Sequence, residues 1–531
     1  MTPRSKLPLL ALALSLTAFA LVTPAEAGLR EDFESDAVTV LTRDGLRKAP
    51  ESSRFLSVRA LGDGDIGALA RFPALTGLEV KFAGKLTTAA YKAFAKMKTL
   101  RYLELTGARG FDDAAIKALA GSGSLEVLIV RSPGKTSSNG WAELDGAKEL
   151  VDLELVGLPF GAGADMSLGF VKAVCGAPKL AALRLSNGSG MTMESSSVLA
   201  GKSTLTVLEL NNVKGFGDSC LEILQSRPLT RLGLSRTDIT PAGLATLPKM
   251  ASLRALTLAG KSGFGDEALA TVAGCAGLTE LDLSGWDLTP AGFKVMSKLT
   301  KLERLRIVGA HKLGDGALAA LQELAGLHTV ELPFNRGLRG SDIADLGKIK
   351  GLKRLSLSRN AKLPQESFGA LAGLTGLEEL ELDGCFMLTD KGMAGLEKLV
   401  KLRRLNLANC PFLRGTGLRF LRDMPALVEL DLSRCRRLDP LGVQTVKACK
   451  ALRILRLENN AGLVDASLPA IATLGELREL WLEGCKGITD KGIQNLIGLT
   501  KLKILDLPDR GQVTPAGRKT LAGLMPRPDI G

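Results

Sequence analysis

Three Gly-Lys-Ser/Thr triplets are the first residues in this chain that suggest chemistry, because such a triplet can hold the phosphates of a nucleotide. The triplets begin at Gly134, Gly201 and Gly260. A phosphate loop also needs a glycine five residues before the triplet, so that backbone amides can surround the phosphate. Those three positions are held by Ile129, Ser196 and Ala255. The spacing therefore excludes a phosphate loop at all three triplets.

Acid–base chemistry has few candidates here, because the chain contains only two histidines, His311 and His328. A serine hydrolase needs a histidine beside its nucleophile, yet the sequence has no G-x-S-x-G motif. The zinc motif H-E-x-x-H and the pair C-x-x-C are also missing. The sequence therefore predicts no catalytic residues, no cofactor and no metal site, so we expect that the protein is not an enzyme.

Four of the eight cysteines follow a regular spacing of 25 residues or its double. They are Cys385, Cys410, Cys435 and Cys485. Equivalent side chains on stacked turns point the same way, so their Cβ atoms lie further apart than a disulfide requires. A small, weakly polar thiol suits a buried position. The spacing favours free, buried thiols, and a disulfide between neighbouring turns or a metal site is the alternative.

These residues belong to a repeat of 24 or 25 residues that contains the segment L-x-x-L-x-L. With a looser copy at Leu75, 18 copies keep this register over more than 400 residues. The clear copies begin at Leu100, Leu125, Leu150, Leu180, Leu205, Leu229, Leu253, Leu278, Leu302, Leu327, Leu352, Leu377, Leu402, Leu427, Leu452, Leu477 and Leu502. A fixed period of this length is typical of a solenoid, in which each repeat buries its apolar face against its neighbours.

Each repeat begins with a pattern of period two, which predicts a short strand. In the copy at residues 377–399, Leu380 and Leu382 alternate with Glu379 and Glu381, so the leucines face inward. A helix is predicted next, with Thr389 as its N-cap and an acidic residue in its first turn. The apolar residues that follow at helical spacing are Met393, Leu396 and Leu399.

The full repeat reads L-x-x-L-x-L-x-x-C-x-x-L-T-D-x-G in the copy Leu377–Gly392, and the copy Leu477–Gly492 differs only in having Ile488 at the last leucine position. This pattern resembles the leucine-rich-repeat family, and in particular its cysteine-containing subtype, here in a secreted, bacterial-type form. The resemblance implies an α/β solenoid with a parallel sheet on its concave side and helices on its convex side. In eukaryotes the subtype often accompanies an F-box and recruits substrates for ubiquitin ligases. We do not expect that role here, because the N-terminus has the features of a secreted protein.

The N-terminus has the three parts of a secretory signal peptide. Arg4 and Lys6 precede an apolar run over residues 7–22, and Ala25-Glu26-Ala27 is a cleavage site. The run is shorter than the roughly 20 residues that span a bilayer. We therefore predict a signal peptide at 1–27, an N-terminal cap or linker at 28–52 and the solenoid at 53–531. This organisation predicts a secreted, periplasmic or cell-envelope protein, with no membrane span after cleavage.

Charged residues alternate in sign from strand to strand on the predicted concave side of the C-terminal half. The series runs through Glu280 with Asp282, Arg304 with Arg306, Glu331, Arg354, Glu379 with Glu381, Arg404, Glu429 with Asp431, Arg456, and Glu479 with Glu483. Opposite charges on adjacent strands stabilise a sheet. The series is either a self-neutralised ladder that keeps the sheet soluble or a polar recognition surface. The net charge is +13, but a nucleic-acid site needs a continuous positive stripe, so we expect no nucleic-acid partner.

Aromatic residues at predicted concave positions are the best candidate anchors for a partner, because exposed rings are enriched at binding hot spots. Trp481 lies between two glutamates and is the strongest candidate; its alternative role is packing against Ile454 and Ile504. The Gly-rich segment 132–163 includes an insertion of about five residues, and insertions in solenoids map to loops.

The sequence thus predicts a non-enzymatic scaffold that recognises a protein, or a glycan as a second choice, through its concave face. The predicted partner-binding residues are Trp481, Glu479, Glu483, Arg456, Arg404, Glu429, Asp431, Glu379, Glu381, Phe334 and Tyr102. The alternative is a structural component of the cell envelope or matrix without one specific ligand.

Overall fold

A computed structural model of the chain describes residues 29, 37–40, 43–157, 166–260, 263–314, 316–508, 513–524 and 529–530. The signal peptide predicted at 1–27 and the insertion expected near 158–163 lie outside these residues. Within the ranges given, 21 strands form one sheet. Each strand pairs in parallel with the next along the chain. The repeats therefore stack in sequence order, which gives the predicted α/β solenoid.

The strands are long in the first repeats and shorten to three residues from the tenth strand to the twentieth. In chain order, β1 to β21 are Val38–Val40, Phe55–Gly62, Gly77–Lys85, Tyr102–Thr106, Val127–Arg131, Asp152–Val156, Ala182–Gly188, Val207–Val213, Arg231–Ser235, Ala255–Thr257, Glu280–Asp282, Arg304–Arg306, Thr329–Glu331, Arg354–Ser356, Glu379–Glu381, Arg404–Asn406, Glu429–Asp431, Ile454–Arg456, Glu479–Trp481, Ile504–Asp506 and Asp529–Ile530.

The convex side carries α-helices in most of the early repeats and largely short α or 3-10 turns in the later ones. The α-helices are Arg43–Lys48, Thr88–Ala95, Asp113–Ala120, Ser138–Ala142, Leu168–Val174, Met193–Gly201, Asp218–Leu224, Asp266–Val272, Pro290–Phe293, Gly340–Leu346, Pro440–Val443, Leu468–Ile471, Asp490–Ile493 and Pro515–Leu524. The 3-10 helices are Asp63–Arg71, Glu143–Gly146, Ala242–Lys249, Lys294–Lys298, Ala317–Glu323, Gln365–Gly373, Asp390–Met393, Leu396–Lys398, Thr416–Asp423, Gln444–Ala448, Asp465–Ser467 and Gln494–Gly498.

The prediction of one helix after Thr389 was wrong. The structure has two 3-10 turns instead, because Gly395 adopts a φ of 99° between them. A left-handed residue cannot continue a right-handed helix. The apolar side chains nevertheless reach the core, since Met393 is buried together with the inward-facing strand leucines Leu380 and Leu382. One continuous apolar core runs from Val40 in the first strand to Leu521 in the last helix.

A backbone turn with a left-handed residue lies at or just after the end of each strand from β4 to β19 and directs the next side chain into the solenoid. At this position Gly384 has a φ of 68°, and Arg359 and Asn409 adopt similar left-handed values. The following residue bonds a carbonyl of the previous turn: the Sγ of Cys385 donates to the Leu357 carbonyl at 3.3 Å. Cys410, Cys435 and Cys485 make equivalent bonds. All eight cysteines are free, and all but Cys175 are buried, which confirms the prediction of free, buried thiols.

The two ends of the solenoid meet. The helix Arg43–Lys48, which follows the first strand, contacts the last strand, Asp529–Ile530. Residues 38–40 pair with Leu56–Val58 and so contribute the first strand of the sheet. In the ranges that the structure covers, no helix has both the length and the apolar character needed to cross a bilayer.

Candidate functional site

The concave face is built from two rows of side chains that alternate with the buried leucines. The first row includes Glu379, Arg404 and Glu429, which are direct partners in the sheet register. In the second row, Asp431, Arg456 and Trp481 follow one another in the same way. Because the side-chain period of a strand is two, both rows point away from the core. The predicted concave placement of the strand residues is therefore confirmed.

Ion pairs connect neighbouring strands within the first row and between the two rows. The guanidinium of Arg354 lies 3.3 Å from Glu331, 2.5 Å from Glu379 and 2.8 Å from Glu381. Arg404 continues the chain, at 3.0 Å from Glu379 and 3.6 Å from Glu429. Arg456 then contacts Glu429 from the other side. The predicted alternation of charge thus corresponds to real contacts, and this part of the face neutralises itself.

The central part of the concave face buries its charges. Arg306 is 7% exposed and contacts both Asp282 and Glu331, which are 5% and 3% exposed. Burial raises the pKa of Asp282, although Arg306 and Ser284 favour its charged form. Removing charges from water is unfavourable unless they are paired. These residues therefore serve the structure and offer little to a partner.

The C-terminal part of the face differs, because carboxylates outnumber guanidiniums there. On strands β17 to β20 and the residues two positions after them, there are six carboxylates and one guanidinium. The carboxylates are Glu429, Asp431, Glu458, Glu479, Glu483 and Asp506, and the guanidinium is Arg456. The carboxylates Glu379, Glu381 and Asp383 on the turn of β15 are balanced by Arg354 and Arg359 on the turn before. Sequence reasoning missed Asp383, Glu458 and Asp506, although the period of 25 residues places them on the same face.

Burial, with a smaller contribution from neighbouring carboxylates, raises the pKa of two acids in this region. Burial raises the pKa of Asp431, and the nearby carboxylate of Asp383 adds to this effect. Burial likewise raises the pKa of Glu458, with a further contribution from Asp431. Glu483 is exposed and forms no ion pair with any residue in the described part of the chain. A cationic group would therefore be favoured at this end of the face.

Trp481 lies within this acidic region and is half-buried. Its indole N–H donates to Glu479 at 3.2 Å, and its register partners are Arg456 and Asp506. Ile454 and Ile504, the alternative packing partners of Trp481, are the direct register partners of Glu479 and lie diagonally from Trp481. Trp481 thus has polar neighbours on both sides of its strand.

Tyr102 lies on the first row as predicted, but it is 4% exposed. A small apolar cluster covers it, formed by Leu29, Phe55, Val127 and Ile129. Its hydroxyl donates to Glu104 at 2.7 Å. The prediction that Tyr102 is an accessible anchor was wrong. Tyr102 is buried, because Leu29, which lies outside the repeats, packs in the cluster that covers it.

Phe334 lies beyond its strand, in the left-handed turn, with a φ of 58°. Its ring is 40% exposed, and the guanidinium of Arg359 stacks over it at 5.0 Å. It is accessible, but it belongs to the loop edge of the solenoid and lies apart from the acidic region of the concave sheet.

Neither histidine has a catalytic environment. His311 is exposed in a turn, and Nε2 of His328 lies 3.8 Å from Glu303, which is itself half-exposed. Among the residues that the structure covers, no three His, Cys, Asp or Glu side chains are grouped as metal ligands. The concave face thus presents charged side chains and a half-buried tryptophan to which a partner could bind.

Comparison with known proteins gives matches to solved structures only. No family profile matches the sequence, and no curated protein is similar to it. An internalin, inlF, from Listeria monocytogenes is 19% identical, with 68% of this chain and 89% of that chain covered and a TM-score of 0.43.

Two further solved structures are similar at the same level. The TLR13–ssRNA13 complex is 17% identical over 89% of this chain and 86% of that chain, with a TM-score of 0.43. The Rad7 and Elc1 complex from yeast is 16% identical over 98% of this chain and 100% of that chain, with a TM-score of 0.41. Likeness at this level transfers no residue role to this chain.

Proposed function

We propose that this protein is a non-enzymatic, secreted scaffold that binds a protein partner through the C-terminal part of its concave face. The observation that carries the proposal is the excess of six carboxylates over one guanidinium on strands β17 to β20 and the two positions after each strand. A partner that presents lysine or arginine side chains complements this surface, and charge complementarity gives specificity and a fast association.

Trp481 supplies the apolar contact that such an interface needs. Tryptophan and arginine are enriched among the residues that dominate binding energy, and Trp481 adjoins Arg456 in the sheet. A ring held by Glu479 on a rigid strand loses little freedom when a partner covers it. The partner's basic side chains would then contact Glu458 and Glu483 beside the ring.

The test is a crosslinking pull-down from the cell envelope and growth medium of the source organism. The mature protein is compared with a Trp481→Ala, Glu483→Lys variant and with a convex control, Leu441→Ala, whose side chain is 68% exposed. We expect a basic protein that the wild type and the control capture and the concave variant loses, with capture that weakens as salt screens the charges. Equal capture by all three proteins, or a captured glycan, would overturn the proposal. No capture at all would favour a structural role in the envelope.

A further inference from the structure

A second surface lies on the edge of the solenoid, where the chain leaves three consecutive strands. We name it the Phe–Arg edge and define it by Phe386, Met387, Phe412, Arg434, Arg436 and Arg437. Phe386 and Met387 follow the inward Cys385, and the other members occupy equivalent places around Cys410 and Cys435. Strands β15 to β17 pair in register. Adjacent turns in such a stack are about 4.8 Å apart, so the six side chains form one patch.

The apolar members of the Phe–Arg edge are unusually exposed. Phe386 is 43% exposed, Met387 50% and Phe412 42%. Single exposed apolar residues are normal, but large ones that cluster on neighbouring turns mark interaction sites. Aromatic residues, methionine and arginine are also the residue types that interfaces enrich, whereas lysine is depleted there.

The three arginines of the Phe–Arg edge, Arg434, Arg436 and Arg437, are exposed and carry no ion pair to any residue that the structure describes. The guanidinium of Arg437 instead lies 5.1 Å from the centre of the Phe412 ring. This stacking holds a cation beside the apolar patch with its hydrogen-bond donors free, which suits a carboxylate.

We propose that the Phe–Arg edge binds an acidic segment of a partner protein that carries aromatic or aliphatic side chains between its carboxylates. The apolar side chains pack on Phe386, Met387 and Phe412, and the carboxylates pair with the arginines on the next turn. This surface is separate from the concave face and requires no contact with Trp481.

The arrangement favours a peptide over a nucleic acid. A phosphate backbone needs cations spread along its track. Cations recur at these positions at Lys312, Arg336, Lys362 and Lys486, but the two turns before Arg436 and the turn after it carry none. The next turn has Ala461 and Gly462 at the places of Arg436 and Arg437. The bases of a single-stranded nucleic acid could stack on the phenylalanines. The experiment must therefore distinguish binding of a peptide from binding of a single-stranded nucleic acid.

The experiment is a fluorescence-anisotropy titration of the full chain with three labelled probes. They are a peptide of alternating glutamate and phenylalanine, the same peptide with serine in place of phenylalanine, and oligothymidylate. The edge variants are Arg436→Glu with Arg437→Glu, and Phe412→Ser with Met387→Ser. The matched control is Arg422→Glu with Leu441→Ser, two exposed residues outside the edge. Thermal melts confirm that all variants fold.

We expect the glutamate–phenylalanine peptide to bind most tightly and each edge variant to weaken it by about tenfold or more, which corresponds to about 1.4 kcal/mol. The control and a Trp481→Ala variant keep the wild-type affinity. The proposal is overturned if that peptide does not bind, if the edge variants bind it as the control does, or if oligothymidylate binds more tightly and depends on the same residues.

Discussion

Asp465 and Thr489 join two neighbouring repeats through a double hydrogen bond. The hydroxyl of Thr489 donates to Oδ2 of Asp465 at 2.6 Å, and the amide of Thr489 donates to Oδ1 at 2.8 Å. Gly492 belongs to the same arrangement, because a Cβ there would lie 2.0 Å from Oδ1 of Asp465. The T-D-x-G part of the repeat is thus a coupling between turns: the threonine bonds the preceding aspartate, and the glycine makes room for it.

The same coupling recurs along the convex side. It is formed by Asp113 with Ser137 and Gly140, Asp218 with Thr240 and Gly243, Asp266 with Thr289 and Gly292, and Asp490 with Thr514 and Gly517. In a solenoid, stability depends on such contacts between nearest neighbours.

The first prediction concerns the space at Gly492. A Gly492→Ala substitution forces a methyl group against the Asp465 carboxylate, and overpacking of this kind costs about 1–3 kcal/mol. We expect a lower midpoint in guanidinium unfolding. The matched control is Gly498→Ala, because no atom lies within 4 Å of the place that its methyl group would occupy. A midpoint shift that is equal in both variants would contradict the coupling.

The second prediction uses the pH dependence of the same coupling. Burial raises the pKa of Asp390, but hydrogen bonds from Thr416 and from the amides of Arg414, Gly415 and Gly417 outweigh it, so the pKa is lowered overall. The charged form is therefore favoured in the folded state, and its stabilisation is present above the unfolded pKa of about 3.9. That stabilisation is lost as the pH falls through the lower folded pKa.

We therefore expect Asp390→Asn to lower the melting temperature at neutral pH. The difference from the wild type shrinks as the pH falls below the unfolded pKa of about 3.9, because the wild-type protein then loses the stabilisation that its carboxylate charge provides. Melting curves at a series of pH values measure this. A difference that does not change with pH would show that the carboxylate charge plays no part.

The third prediction separates buried from exposed ion pairs on the concave face. Removal of Arg306 leaves the buried Asp282 without its arginine and takes from Glu331 one of its two arginines, and breaking a buried pair in this way costs about 3–5 kcal/mol. Arg404 has a side chain that is 60% exposed, and exposed pairs contribute about 0–1 kcal/mol. Unfolding of Arg306→Ala and Arg404→Ala is compared with the wild type. Equal losses of unfolding free energy in the two variants would mean that the central charges are better hydrated than their burial indicates.

The fourth prediction concerns the cysteines. Burial raises the pKa of Cys385 and Cys435 to about 12, and the thiolate is the form that reacts. We expect the folded protein to resist an aromatic disulfide reagent and all eight thiols to react in guanidinium without added reductant. Fewer than eight thiols after unfolding would indicate a disulfide, which the free cysteines of the structure contradict.

The period of the sequence predicted most of the fold, because one side-chain pattern repeats in every turn. The inward leucines such as Leu380, the cysteine row and the alternating charges all follow from it. The convex helices were predicted less well. The glycine at Gly395 interrupts a helical pattern that its apolar residues alone had suggested, and short repeats leave room for only one or two tight turns.

The sequence predicted the neighbours of a candidate site residue only at positions that follow the 25-residue repeat. The neighbours of Trp481 follow from counting 25 residues in each direction, which gives Arg456 and Asp506. The burial of Tyr102 does not follow from any repeat, because Leu29 reaches it from outside the repeating pattern. Contacts of that kind are tertiary, and no local pattern of residues encodes them.

The meeting of Arg43–Lys48 with Asp529–Ile530 changes how this solenoid should lose structure. A linear array frays inward from two independent termini, whereas a contact between the first and last described turns couples the two ends. Opening either end removes a contact from the other, so the first and last repeats should exchange their amide protons together. Joining the ends by a linker and opening the chain in a distant loop would then give a circular permutant that still folds.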